Sequence, residues 1–579
     1  MKLNGKLWII GVCFLMGRSL FAQNVFLELN LNNQSVQNMV RSVRSKPILD
    51  IFRVIERAGD DKRISGIILN VSGFQAGQET LWELRNALEK FKSKGKKVCA
   101  FISAADLDMY CLATVADKIV MDDQGSLMLL GYAWGRGYVQ HSLEKLGIGA
   151  RELRYLEFKS AAETYTRDSI SDADRRQYGE ILDETMALTR SMVTKARSWT
   201  DSEFNAILND EFMYSAQGAL ARGLVDHVGR KESTLKAVKE LGGGEKEDLL
   251  FLFGDSDSSL TGSKYYYQPG KAHWLARPPV IAVIYANGVT DMERGMAARA
   301  LAATIKRASE KRRVKALVIR ISSPGGSAEA ADYVAEAIKS AKERIPVVVS
   351  MGAVAASGGY WASMNASHIT ASPVTLTGSI GVISTWFYDR GLNSKLGFTV
   401  DTMQRGDHAD LLTGMILPRR DLTPAEEARY QKYILDLYAD FTARVALGRS
   451  MTIEQVEAAA RGRVYSGLKA RDIGLIDSIG GLDDAVRIAK ELAKIPDTRK
   501  VSYQEFPKPK FVDKMLEYIL SSELSVGPAA AKTSQAITAA SFAANLFIPP
   551  PLLEDLRYRI AHNGRVMPLL PLNSEWAAK

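Results

Sequence analysis

Two glycine-rich segments carry residues whose types and spacing suit nucleophilic chemistry. Ala355-Ala356-Ser357-Gly358-Gly359-Tyr360 follows the apolar run Val347–Met351, which reads as a strand, and sets a serine hydroxyl at the opening of a helix. The amide of Gly358 stands beside that hydroxyl, so the segment can supply a nucleophile with half of an oxyanion hole attached. Ser322-Ser323-Pro324-Gly325-Gly326-Ser327 lies between a second apolar run and a helix beginning at Ala328. Backbone N–H groups exposed at such a junction suit an anion or an oxyanion. The segment lacks the Gly-Lys-Ser/Thr ending of a phosphate-binding loop, which argues against nucleotide binding. Taken singly, the two segments also fit a tight turn and a small-residue helix packed closely on a sheet.

Other chemistries find little support. The six histidines form no HExxH pattern, and His408, in Gly406-Asp407-His408, reads as a surface residue rather than a base. Cys13, Cys99 and Cys111 show neither CxxC nor Cys/His zinc spacing, so no metal and no cofactor is expected. Cys99 and Cys111 lie in apolar segments and read as core thiols. The 75 basic residues exceed the 66 acidic ones by 9 without any dense block, which points to a mixed-charge surface and not to a nucleic-acid partner.

The elements that must position these segments come in two copies. A chain of 579 residues is too long for one core, and 46% hydrophobic with 24% charged residues is globular rather than disordered, fibrous or polytopic. Arg63–Leu69 mirrors Arg313–Ile319, Tyr110 mirrors Tyr360, and Lys145-Leu146-Gly147 mirrors Lys395-Leu396-Gly397, all about 250 residues apart. Tyr214-Ser215 and Gly223-Leu224 with Asp226 recur at Tyr465-Ser466 and Gly474-Leu475 with Asp477. In the second copy Val280–Tyr285, Ala316–Ile321 and Pro346–Met351 are Val/Ile-rich and lack polar alternation, as strands covered on both faces do. Ala328–Lys342 has helical spacing, and the capping box Thr423-Pro424-Ala425-Glu426 opens a helix running toward Leu447. This alternation implies an α/β fold with mainly parallel sheets flanked by helices.

The expected organisation is a segment 1–22, an N-terminal repeat 23–250, a linker 251–278, a C-terminal repeat 279–497 and a tail 498–579. Lys2 and Lys6 precede the apolar run Leu7–Met16, with Ala22 beyond. Ten apolar residues are short of the ~20 that span a bilayer, so the segment reads as an export signal or an anchor. Either would place the bulk of the chain outside the cytoplasm.

Ser-Pro-Gly-Gly-Ser at 323–327, Ala-Ser-Gly-Gly-Tyr at 356–360, Thr-Leu-Thr-Gly-Ser-Ile-Gly at 375–381 and Phe-Lys-Ser-Ala at 158–161 together resemble the long, two-repeat form of the signal peptide peptidase A family. These are bacterial membrane-associated serine proteases related to the Clp/crotonase superfamily. The resemblance covers nearly the whole chain. It implies a tandem duplication of a Clp/crotonase-like domain, Ser357 as nucleophile and Lys159 as general base. It also implies oxyanion-hole amides at Gly326 and Gly358, with Ser379 orienting the lysine. It further implies signal peptides as substrates, the inner membrane with the bulk of the chain on the periplasmic side, and a ring-like homo-oligomer, a tetramer.

The residues are compatible with those roles. A lysine amine accepts a proton only when neutral, and bringing one from about 10.4 to near 7 takes about 4 kcal/mol of differential solvation, which burial can supply. Lys159 has mostly apolar or small neighbours, and Glu157 and Glu163 would have to point away from it. The repeats are also complementary. Leu107 stands where the second copy has Ser357, Gln75-Ala76 where it has Gly325-Gly326, and Ala409 where the first has Lys159. One composite site per chain is expected. An acyl-CoA enzyme of the crotonase type and a non-catalytic assembly protein are the competing readings.

Overall fold

The structure, a computed structural model, describes residues 24–31, 48–243, 249–252, 278–496, 499, 501–506 and 559. The N-terminal apolar segment, the stretch 255–263 and nearly all of the tail lie outside them. Two compact units result: one holds Met1–Tyr132 and Thr185–Leu275, the other Ala133–Glu184 and Ala276–Lys579. The division does not run along the repeat boundary near residue 250. A block of the first copy, Ala133–Glu184, belongs to the unit built on the second copy.

In the first unit, Ile64–Asn70 lies between Val25–Asn30 and Lys97–Asp106, and Lys118–Met128 follows, all parallel. Met213–Ser215 closes one edge antiparallel, and Leu249–Leu252 the other in parallel. The second unit repeats this plan. Val314–Ser323 lies between Val280–Asn287 and Val347–Ala356, with His368–Ala371 and Leu376–Gly378 next in line, all parallel. Val464–Ser466 closes one edge antiparallel and Ser502–Phe506 the other in parallel. The strands expected from Val/Ile-rich runs are present, each a little longer, and nearly every side chain of Val347–Ala356 is buried. The two edge strands Leu249–Leu252 and Ser502–Phe506 fall where the sequence reads as the start of a linker and of a tail. Ser502–Phe506 is half-buried, so backbone pairing rather than an apolar run defines it.

Helices cover these sheets as their patterns dictate. Ala328–Lys342 starts at Ser327, whose hydroxyl accepts from the Ala330 amide, and buries Ala330, Ala331, Val334, Ala335, Ile338 and Ala341. That is one face at i, i+3, i+4 spacing. Pro424–Arg449 begins with the expected capping box between Thr423 and Glu426. Cys99 and Cys111 are buried, and burial pushes both thiols up to about 12, which suits inert core residues.

The duplication extends to single hydrogen bonds. Tyr110 Oη donates to the Leu224 carbonyl at 2.9 Å, and Tyr360 Oη donates to the Leu475 carbonyl at 2.9 Å. Asp226 accepts from the Ile119 amide and pairs with Arg197, as Asp477 accepts from the Ile369 amide and pairs with Arg449. Each tyrosine therefore ties a helix to the loop before a two-residue strand, His227–Val228 in the first unit and Ser478–Ile479 in the second. Tyr360→Phe and Tyr110→Phe are each expected to lower stability by about 1–3 kcal/mol, the cost of leaving a buried carbonyl without its donor. Urea unfolding monitored by circular dichroism measures this, and equal shifts are the signature of equivalent bonds.

Candidate active site

The site lies within the second unit and is built where a strand meets a helix. Ser357 ends Val347–Ala356 and caps the helix Gly358–Ser363 at φ 57°, ψ −117°. A positive φ costs a non-glycine residue on the order of 1–3 kcal/mol and persists only where neighbours enforce it. Here the Ser357 amide donates to the Gly378 carbonyl at 2.8 Å, and its carbonyl accepts from the Trp361 amide at 2.8 Å. The side chain makes no capping bond, so the hydroxyl is not committed to the helix.

That hydroxyl faces Lys159. Lys159 Nζ lies 2.7 Å from Ser357 Oγ, 2.9 Å from Ser379 Oγ and 2.8 Å from the Ser379 carbonyl. All three residues are buried, the lysine at 1% exposure. Burial drives the amine's pKa well below the usual lysine value, and the Arg559 guanidinium pushes it the same way. A neutral amine has two N–H groups and one lone pair. The Ser379 carbonyl can only accept, so it takes one N–H. With the second N–H on Ser379 Oγ, the lone pair is left for the Ser357 O–H to donate into.

The carboxylates nearest in sequence are engaged elsewhere. Glu157 pairs with Arg176 at 2.5 Å; Glu163 pairs with Arg154 at 2.7 Å and with Arg136 at 3.6 Å. Arg136 also donates to the Ser160 carbonyl at 3.0 Å and pairs with Asp174 at 2.9 Å, while Ser160 Oγ donates to Asp174 at 2.5 Å. The residue after the lysine is thereby pinned on both its backbone and its side chain.

The two glycines of the expected anion site come together. A methyl group added at Gly358 would lie 3.2 Å from the Gly326 amide nitrogen and 3.2 Å from Gly325 Cα. Among the described residues neither the Gly326 nor the Gly358 amide donates to a protein acceptor. Gly326 has φ +154° and runs so close to Thr290 that a Cβ would meet the Thr290 carbonyl at 2.2 Å. Thr290 clamps the loop from both sides, its amide donating to Gly325 at 2.8 Å and its carbonyl accepting from Ser327 at 2.7 Å. Ser357, Lys159, Ser379, Gly326 and Gly358 thus fall into one locality. His408 stands apart from them: it is half exposed and bonded to Glu426 at 2.9 Å. The first unit has no counterpart, since Leu107 there is a buried helix-start residue.

Sequence reasoning missed Thr290, Arg136, Asp174 and Gly462. Gly462, at φ +82°, comes so near the lysine that a Cβ would lie 2.6 Å from Lys159 Cβ and 2.7 Å from its amide nitrogen. Nothing in Ala460-Arg461-Gly462-Arg463 marks it, because the constraint is a contact with a residue far away in the chain.

The profile described as Peptidase family S49 matches residues 90–243 and 339–496, one stretch in each repeat. The chain is 32% identical over 507 residues to Protease 4 of Salmonella typhi, covering 84% of this chain and 78% of that one. It is 31% identical over 465 residues to the chloroplastic serine protease SPPA of Arabidopsis thaliana, covering 78% and 67%. A putative signal peptide peptidase SppA of Enterococcus faecium is 34% identical over 201 residues, covering 34% and 71%. Among solved structures, a ClpP1 mutant from Listeria monocytogenes matches with TM-score 0.24 at 18% identity, covering 35% of this chain and 94% of that one. The chain belongs to peptidase family S49, and it is a serine protease acting on peptide substrates.

Gly462→Ala is expected to lower turnover by about 100-fold, because a Cβ there must displace the lysine by a sizeable fraction of an ångström. Peptide hydrolysis measured beside the far-ultraviolet circular dichroism spectrum separates this from unfolding.

Proposed function

We propose that Ser357 is the nucleophile of this protease and Lys159 its general base. The observation that carries the reading is the 2.7 Å contact between Lys159 Nζ and Ser357 Oγ in a dry setting. In this mechanism Ser357 Oγ attacks the peptide carbonyl as its proton passes to Lys159 Nζ. The developing oxyanion accepts hydrogen bonds from the Gly326 and Gly358 amides, and Ser379 holds the amine in line. Collapse breaks the C–N bond, and the lysine ammonium returns its proton to the leaving amine. A water, deprotonated by the same amine, then releases the acyl group.

The substrates we infer are unfolded apolar segments with small side chains at the scissile position, signal peptides left in a membrane foremost. The small residues around Ser357, the N-terminal apolar run Leu7–Met16 and the Enterococcus relative's name support this. The same reading places the chain at the inner membrane with its bulk on the exported side, as a homo-oligomer. Among the described residues no helix is long and apolar enough to cross a membrane.

A fluorophosphonate is expected to label Ser357, with labelling and turnover lost in Ser357→Ala. An adduct elsewhere, or full activity in that variant, would overturn the assignment. The rate should rise with pH: below the lowered pKa of Lys159 the amine is protonated and cannot accept, above it the base is free. Lys159→Ala and Lys159→Arg should abolish that limb along with ~10²–10⁴ of the rate, since a guanidinium stays protonated. A pH–rate profile unchanged in either variant would show that another group titrates.

A further inference from the structure

The turn that seats the lysine is itself held under strain. Residues 460–463 join the helix Ile453–Ala459 to the edge strand Val464–Ser466. Arg461 and Gly462 both have left-handed backbone, φ 59° and 82°. Glycine adopts that conformation freely, but arginine carries a Cβ and holds it only where neighbours enforce it. Arg461 is exposed, and the bonds that enforce its conformation fall on its backbone.

The turn supports both sides of the proposed reacting pair. The Arg461 carbonyl accepts from the Phe158 amide at 3.2 Å, and the Arg463 carbonyl accepts from the Ser379 amide at 2.7 Å. Between them the Gly462 amide donates to the Ile380 carbonyl at 2.8 Å, with Gly462 packed against the backbone of Lys159. A turn that relaxed would therefore shift the lysine relative to Ser379.

The Arg461 amide is taken by a side chain. It donates to Tyr438 Oη at 3.2 Å, and Tyr438 Oη donates to Glu457 Oε2 at 2.8 Å. A phenol has one proton; with that proton committed to Glu457, a lone pair is left to face the amide. Tyr438 is buried, on the helix Pro424–Arg449.

The first copy has neither part of this clamp. Aligned through the equivalent Arg197 and Arg449, its helix Asp172–Arg197 has Met186 where the second copy has Tyr438. Aligned through the capping residues Thr200 and Thr452, Asn205 stands where the second copy has Glu457. The turn there is relaxed as well: Asp210 follows its helix at φ −86°, and no residue from Asp210 to Met213 has a positive φ. Clamp and strained turn occur together, in the copy that carries Ser357.

We propose that Tyr438, oriented by Glu457, is a positioning residue for the Ser357–Lys159 pair: it holds Arg461 in left-handed backbone and thereby keeps the lysine amine in line with the serine hydroxyl. This rests on the reading of Lys159 as general base. The tyrosine hydroxyl is bonded to Glu457 and to the Arg461 amide, so its influence reaches the reaction through the turn.

The test uses the full chain and compares Tyr438→Phe, Arg461→Gly and the two combined with the parent. Tyr438→Phe should lower kcat by ~10-fold or more with KM little changed, and slow fluorophosphonate labelling of Ser357 by the same factor. A lower thermal midpoint with an unchanged labelling rate per folded molecule would mark a merely structural bond and overturn the proposal. The combined variant is the sharper arm. Glycine takes left-handed backbone without steric cost, so adding Tyr438→Phe to Arg461→Gly should slow labelling by only about threefold or less. A loss as large in that background as in the parent would show that Tyr438 does not act by enforcing the turn. A parent that fails to label at Ser357 overturns the proposed nucleophile instead. A parent that labels, with Tyr438→Phe labelling equally fast, overturns this inference alone.

Discussion

Everything around the site answers to the cost of keeping a lysine amine dry. A charged ammonium away from water is expensive, and the inexpensive remedy, a carboxylate partner, would lock the proton on. The structure takes neither route. Glu157 and Glu163 are drawn off by Arg176, Arg154 and Arg136, and the amine is left with two hydroxyls and a carbonyl. Those partners satisfy a neutral amine's hydrogen-bonding needs without stabilising a full positive charge as a carboxylate would. The surrounding salt bridges keep negative charge at a distance while pinning the backbone on which the lysine sits.

The same constraint explains why the compact unit cuts across the duplication. The block Ala133–Glu184 brings the lysine, its loop and its arginine–carboxylate network into the unit that carries Ser357 and Ser379. A lysine left in a unit of its own copy would have no serine to face, since Leu107 fills the matching position there. Duplication supplied two frameworks of one plan, down to the paired Tyr110 and Tyr360 bonds. On the proposed assignment each carries only part of the required groups: Lys159 in the first copy, Ser357, Ser379, Gly326 and Gly358 in the second.

Much of this was legible in the residues. Val/Ile runs covered on both faces have few alternatives to a parallel strand, so Val314–Ser323 and Val347–Ala356 declared themselves, as did the helix capped by Thr423 and Glu426. The glycines that follow Ser357 announced a backbone that must be approached closely. Lys159 was different: a lone lysine among small neighbours has no local signature, and only the resemblance carried by four motifs singled it out. Gly462 and Thr290 were invisible for a related reason. Each serves by touching a residue far off in sequence, and a contact between distant loops leaves no periodicity behind. Ser502–Phe506 escaped because an edge strand is defined by the backbone it pairs with, not by its own hydropathy.

The separation of the proposed nucleophile and base also sets a timetable. Lys159 and Ser357 stand 198 residues apart, and the glycine that seats the lysine is encoded later than both. A chain made from its N-terminus carries the lysine through most of its synthesis as an ordinary solvated ammonium, since nothing yet exists to dehydrate it. On the proposed assignment, proteolytic competence therefore arrives only after residue 462 has been made. On the same assignment, a chain stopped before residue 357 lacks the nucleophile and has no such activity to turn on itself.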